Sequence, residues 1–254
     1  MSSIDVHPSH NGRGSDAWSS SFTHFRLGRP STSCCRVTFD HPPINSVTAT
    51  TVAELAELVG LIEQDSDLNV LVFDSANPEV YLTQYDPQSN PTRTPALPRG
   101  PTGLHAWPDL LVRLSRAPVV SIAQVRGRTR GAGTEFVLAC DLRFASRENT
   151  LLSHSQVGAD VVPDGGALVR LASLVGRGPA LELLLLAYDL DGPRAEQRGY
   201  VNRLIADDEL DDEVGQIAAR LAQLDHDAVM RTKSYLRQDL AEAVRSGLEA
   251  LGPG

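Results

Sequence analysis

The sequence predicts an α/β fold built on a parallel, buried sheet, and three observations carry that expectation. Val119–Val125 is a short β-branched run that reads as a buried strand and passes into a glycine-rich turn, Gly127 to Gly133, with a helical pattern starting at Thr134. Cys35–Asp40 and the wholly apolar Val70–Phe73 read as two more strands, and between them Val52, Leu55, Ala56, Val59 and Ile62 recur at helical spacing. A strand, a helix and a strand within about forty residues form a βαβ unit, which implies right-handed crossovers over a parallel sheet.

The chain has 254 residues, 41% of them hydrophobic, enough for one sizeable core. Its net charge of −9 argues against a nucleic-acid binder working through a broad basic face. Twenty-two of the 23 basic residues are arginines, so any clamp on an anion is built mostly from guanidinium forks. Three cysteines, two of them adjacent at Cys34 and Cys35, give no disulfide framework, and no Cys/His cluster has zinc spacing. The expectation is a cytoplasmic protein, reduced, with no metal and no separate cofactor. Residues 1–22 are polar and lack the apolar stretch of a signal peptide, so they read as a disordered leader. The longest apolar run, Leu183 to Ala187, is far too short to cross a membrane.

Along the chain, Thr51-x-x-Glu54 matches a capping box for the first helix. Six prolines between Pro87 and Pro108 favour an extended loop, readable as a lid or as a merely mobile connection. Leu110–Leu114 reads as helix, Leu142–Ala145 as strand and Ala167–Val175 as helix, with Gly199 as a later helix stop. Glu209 to Leu251 reads as two amphipathic helices, with stripes Ile217, Leu221, Leu224 and Leu236, Leu240, Val244.

A strand feeding a glycine turn and then a helix aims free backbone N–H groups at one point, where an oxygen gaining negative charge can be held. Glu135 follows one short step later, placed to move protons, although a tight structural turn with a surface Glu would look the same. Asp164 precedes a helix and reads as an N-cap or as a second proton carrier. Ser153-His154-Ser155 has no nucleophile-elbow pattern around it.

Arg126-Gly127-x-x-x-Gly131-Ala132-Gly133-x-Glu135, followed by Cys140-Asp141-x-x-x-Ala145, resembles the pattern of the crotonase, or enoyl-CoA hydratase/isomerase, family. The likeness runs from about Val37 to about Ile205. It implies a crotonase-type spiral of ββα repeats over residues 23–206, then a helical trimerisation region over 207–254. It implies an acyl-CoA thioester as ligand, with the N–H groups of Tyr85 and Ala132 as oxyanion donors and Glu135 and Asp164 as catalytic acids and bases. Ile44, Thr83, Gln84, Asp86, Gly131, His154 and Gln156 fall at substrate-binding positions. A homotrimer or hexamer is implied. Where the family's hydratases carry a second Glu, this chain has Gln156, and an amide cannot exchange a proton at useful pH. Isomerisation is therefore expected over hydration. The alternative is a crotonase-fold protein that uses no CoA, either a β-diketone-type hydrolase or a non-catalytic binding protein.

Overall fold

The structure is a computed structural model that describes residues 22–86 and 97–251. The leader assigned to residues 1–22 lies, apart from Phe22, outside the described residues, and so does the first part of the proline-rich segment. The chain runs β1 (Phe25–Ser31), β2 (Cys34–Phe39), α1 (Ala49–Ile62), β3 (Val70–Ser75), β4 (Val80–Leu82), α2 (Ala106–Arg116), β5 (Val120–Val125), β6 (Arg128–Arg130), α3 (Ala132–Ala139), β7 (Leu142–Ser146) and β8 (Leu151–Ser153). It continues through α4 (Ala167–Val175), α5 (Arg177–Leu186), β9 (Leu190–Asp191), α6 (Gly192–Gln197), β10 (Arg203–Ile205), α7 (Leu210–Ala222) and α8 (His226–Ala250).

Two sheets organise it. One has the order β1-β2-β3-β5-β7-β10, parallel throughout except for the β1–β2 hairpin. The other has the order β4-β6-β8-β9, with β4, β6 and β8 parallel. The pairs β3–β4, β5–β6 and β7–β8 each place one strand in each sheet and are followed by α2, α3 and α4, so the chain winds as a spiral of ββα repeats, as the sequence resemblance implied. The large sheet is apolar on both faces because helices cover both. Phe39, Phe73, Leu55, Leu110 and Phe136 pack on one side, and Val70, Val72, Val120, Ile122 and Phe144 meet Leu210, Val214 and Ala218 on the other.

Several local expectations are corrected. The first helix is capped by Thr48, whose hydroxyl accepts from Thr51 N–H while Thr51 Oγ1 accepts from Thr48 N–H. Glu54 is released from capping and instead accepts from Thr23 and His24 of the first strand's lead-in. Pro108 lies inside α2, in its first turn, where a missing N–H costs no helical bond. The fully buried stripe of α7 is Leu210, Val214 and Ala218, with Ile217 and Leu221 of the expected stripe packed beside it, and Leu224, past the helix end, is exposed. Leu236 is also exposed, at 81%, whereas Leu240 and Val244 of the expected stripe do pack, together with Leu248, against Val112. Leu224 lies past Ala222, where α7 ends, and α8 packs on α2 and α4, which its own periodicity does not reveal. Gly199, at φ 74°, does terminate α6.

Candidate active site

The central helix starts at Ala132, two residues earlier than its sequence pattern suggests, and Gly131 caps it at φ 52°, ψ −116°. Only glycine holds that conformation cheaply, and a Cβ there would lie 2.9 Å from Gln84 Cβ. Ala132 is therefore the first helical residue, its N–H without an intrahelical acceptor. Across from it Val47 forms a parallel bridge with Tyr85, held by Val47 N–H to Gln84 O at 3.2 Å and Asp86 N–H to Val47 O at 3.0 Å. That register uses the Gln84 carbonyl and the Asp86 N–H, and among the described residues neither Tyr85 nor Ala132 N–H donates to a backbone carbonyl. Both residues line a cleft of about 1400 Å³, together with Gln84, Asp86, Glu135, Gln156 and Asp164.

Glu135 sits in the first turn of α3, only 1% exposed, so the surface-Glu reading is excluded. Its carboxylate accepts from Trp107 Nε1 at 3.0 Å and from Gly165 N–H at 2.9 Å. The approach of Gly165 demands glycine: a Cβ would come within 2.5 Å of Glu135 Oε2 and 2.8 Å of Trp107 Nε1. Arg170, itself buried, holds the next peptide of the same residue by donating to Gly165 O at 2.5 Å, and also donates to Leu111 O at 3.3 Å. Burial, followed by the charge of Asp164, pushes the Glu135 carboxyl from 4.5 up to about 8, against the opposing pull of the Trp107 and Gly165 donors and the Arg170 charge. Burial raises Asp164 as well. The helix-cap reading of Asp164 fails, because the capping position of α4 belongs to Gly166 and no side chain caps it. Two carboxyl groups on one cleft, both raised by burial and Glu135 further by the charge of Asp164, form an arrangement able to divide acid and base roles.

Tyr85 and Trp107 meet edge to face at 5.6 Å and form the apolar shoulder beside the carboxyls. The segment from Leu97 to His105 closes another side. Thr102 N–H and Oγ1 donate to buried Asp109 at 2.8 and 2.6 Å, and Arg99 donates to Gly103 O at 2.9 Å, so this part of the expected lid is a built wall.

Other candidates fall elsewhere. His154 turns away from the cleft: Nδ1 lies 3.3 Å from Thr134 Oγ1, Nε2 lies 3.0 Å from the Tyr200 hydroxyl, and burial lowers its pKa to about 4, so it stays neutral. Thr83 spends its hydroxyl on Ile44 O at 3.1 Å, and neither Thr83 nor Ile44 lines the cleft. Gly131 contributes backbone shape alone. Sequence reasoning missed Trp107, Arg130 and Arg170. Trp107 is one of only two tryptophans, and Arg130 fills the spacer between two conspicuous glycines, but neither pattern names a partner.

Residues 29–250 match the family described as enoyl-CoA hydratase/isomerase. The chain is 36% identical to the peroxisomal Delta(3,5)-Delta(2,4)-dienoyl-CoA isomerase of Arabidopsis thaliana over 135 residues, 53% of this chain and 48% of that one. Among solved structures, a Streptomyces avermitilis protein assigned as an enoyl-CoA hydratase superposes with a TM-score of 0.82 at 37% identity, covering 91% of this chain and 84% of that one. A Thermobifida fusca protein assigned likewise and solved in complex with acetoacetyl-CoA superposes with a TM-score of 0.75 at 25% identity, covering 90% and 94%.

Proposed function

The chain belongs to the enoyl-CoA hydratase/isomerase family, also called the crotonase family, whose members are lyases or isomerases, and on that premise we propose that it shifts a double bond along the acyl chain of a CoA thioester. The thioester oxygen lies between the N–H groups of Tyr85 and Ala132. Each such donor is worth about 3 kcal/mol to the developing enolate. The ionised member of the Glu135–Asp164 pair takes a proton from one carbon, electrons move onto the thioester oxygen, and the protonated member delivers a proton to the carbon at the far end of the conjugated system. The double bond has then moved and the pair has exchanged roles, with no water consumed.

The observation that carries this reading is the buried Glu135 carboxyl facing the same cleft as Asp164, while the position of a second hydratase Glu holds Gln156. Hydration needs one group to deprotonate water and one to protonate the α-carbon, and an amide does neither. Exposed apolar residues on α5, Leu181, Leu185 and Leu186, together with Leu174 of α4, support a further proposal that copies of the chain assemble as a trimer or a pair of trimers. Light scattering then gives three or six times the 27.4 kDa chain mass, and a monomer at micromolar concentration refutes it.

The test of the reaction compares Gln156→Glu with Glu135→Gln on 2-enoyl and 3-enoyl thioesters. Gln156→Glu raises hydration, and Glu135→Gln abolishes isomerisation. Native turnover that survives Glu135→Gln overturns the assignment, and a failure of any acyl-CoA to bind favours hydrolysis of a free ketone instead.

A further inference from the structure

The cleft has a second polar feature that proton transfer leaves unused. Strand β6 presents Arg128 and Arg130 on one face, with Thr129 buried between them. Arg128 is exposed and lies 3.4 Å from Asp189. Arg130 lines the cleft instead, and among the described residues its buried Nε has no hydrogen-bond partner and no carboxylate lies within 4.0 Å of its guanidinium. Gln156 lines the same cleft and is in the same condition, its Oε1 buried and without a partner among the described residues. Gln156 stands beside the cap of α3, since a Cβ on Gly131 would lie 3.8 Å from its Cδ.

A guanidinium stays charged at every relevant pH, and leaving its buried N–H unpaired costs stability. The buried Nε is itself closed to a ligand, so a ligand meets Arg130 through the part of its side chain that lines the cleft, where no carboxylate among the described residues neutralises it. An amide can present its NH2 or its oxygen by turning about its last torsion, so Gln156 can add a donor beside Arg130. We infer, on the footing of the acyl-CoA reading above, that Arg130 with Gln156 selects acyl-CoA substrates whose acyl chain carries a carboxylate. Position decides between this group and the CoA phosphates. Arg130 is two residues from Ala132, so the two Cα atoms lie within about 7.6 Å. Arg130 also lines the same cleft as Ala132, Glu135 and Asp164, so its side chain borders the space proposed for the reacting acyl group, whereas the phosphates lie beyond the long pantetheine arm.

Calorimetry on the full chain with saturated thioesters, which cannot be isomerised, tests this. The pairs are matched in length: butyryl-CoA against succinyl-CoA, and valeryl-CoA against glutaryl-CoA, with free CoA alongside. The carboxylated member of at least one pair binds the native protein on the order of tenfold more tightly, as expected for a charge-assisted contact. In Arg130→Met the two members of that pair bind equally, and in Arg130→Lys, which keeps the charge without the fork, the preference is reduced but present. Equal binding within both pairs by the native protein overturns the inference without any variant. So does a preference that survives Arg130→Met, or a loss in Arg130→Met shared by every acyl-CoA and by free CoA, which identifies the anion as a CoA phosphate. If no acyl-CoA and no free CoA binds the native protein, the acyl-CoA reading itself falls and this one falls with it. Binding of neutral acyl-CoAs without a carboxylate preference removes this inference alone.

Discussion

Glu135 and His154 are both held by α3, the first on the helix and the second against its Thr134, and both are buried, at 1% and 3% exposure. Burial moves each against its charged form, Glu135 up to about 8 and His154 down to about 4. They differ in what else they meet. His154 is closed in by two hydroxyls and faces no open space, whereas Glu135 faces a cleft shared with a second carboxyl and takes two aimed donors. A perturbed pKa therefore marks burial, and only a cleft and a partner turn it into a candidate for chemistry.

The largest effect that separates the two residues is on turnover. Glu135→Gln is expected to lower kcat by about 10² to 10⁴, the usual cost of a lost proton-transfer group, with Asp164→Asn in the same range. His154→Gln leaves turnover within a few fold. Comparable losses from His154→Gln would reverse the contrast.

Gly165→Ala comes next. Its methyl group collides with Glu135 Oε2 and with the indole nitrogen, so the carboxylate loses its position. Overpacking of this kind costs about 1–3 kcal/mol of stability, read as a lower denaturation midpoint, and turnover falls with it.

The pH dependence sharpens the comparison further. If Glu135 acts as its ionised form in the free enzyme, kcat/KM rises with pH through about 8. Trp107→Phe removes a donor that favours the charged carboxylate, so the rising limb moves to higher pH. A limb that stays put assigns it to another group. A purely structural role for Trp107 would lower stability without moving the limb.

The last comparison lies in stability against pH. The folded pKa of Glu135 is above its ordinary 4.5, so the folded state binds the proton more tightly, and this contribution is complete below pH 4.5 and is lost as pH rises through about 8. Thermal denaturation of native protein and Glu135→Gln should therefore converge at low pH and separate, in favour of the variant, toward pH 8. His154 has the opposite sign: its folded pKa is below 6.5, so its contribution is present above pH 6.5 and is lost as pH falls through about 4.

By itself the sequence determined the architecture. Short β-branched runs, glycine turns and helical periodicity are local properties, and Val119–Val125 into Gly131 and Glu135 already contains a strand, a turn and a helix start that no packing needs to reveal. The resemblance in those same residues named the family, and the Gln156 departure was legible as a single letter. Only the tertiary structure decided which side chains share a space. Trp107 reaches Glu135 from 28 residues away and Gly165 from 30, and Arg170 acts through the Gly165 carbonyl. The structure also turned His154 inward, turned Thr83 onto Ile44 and left Arg130 at the cleft with its Nε unpartnered among the described residues. The physical reason is one of range. Backbone preferences act between neighbours in sequence, whereas burial, desolvation and hydrogen-bond satisfaction depend on neighbours in space, and these exist only after the sheets have paired and the helices have closed over them.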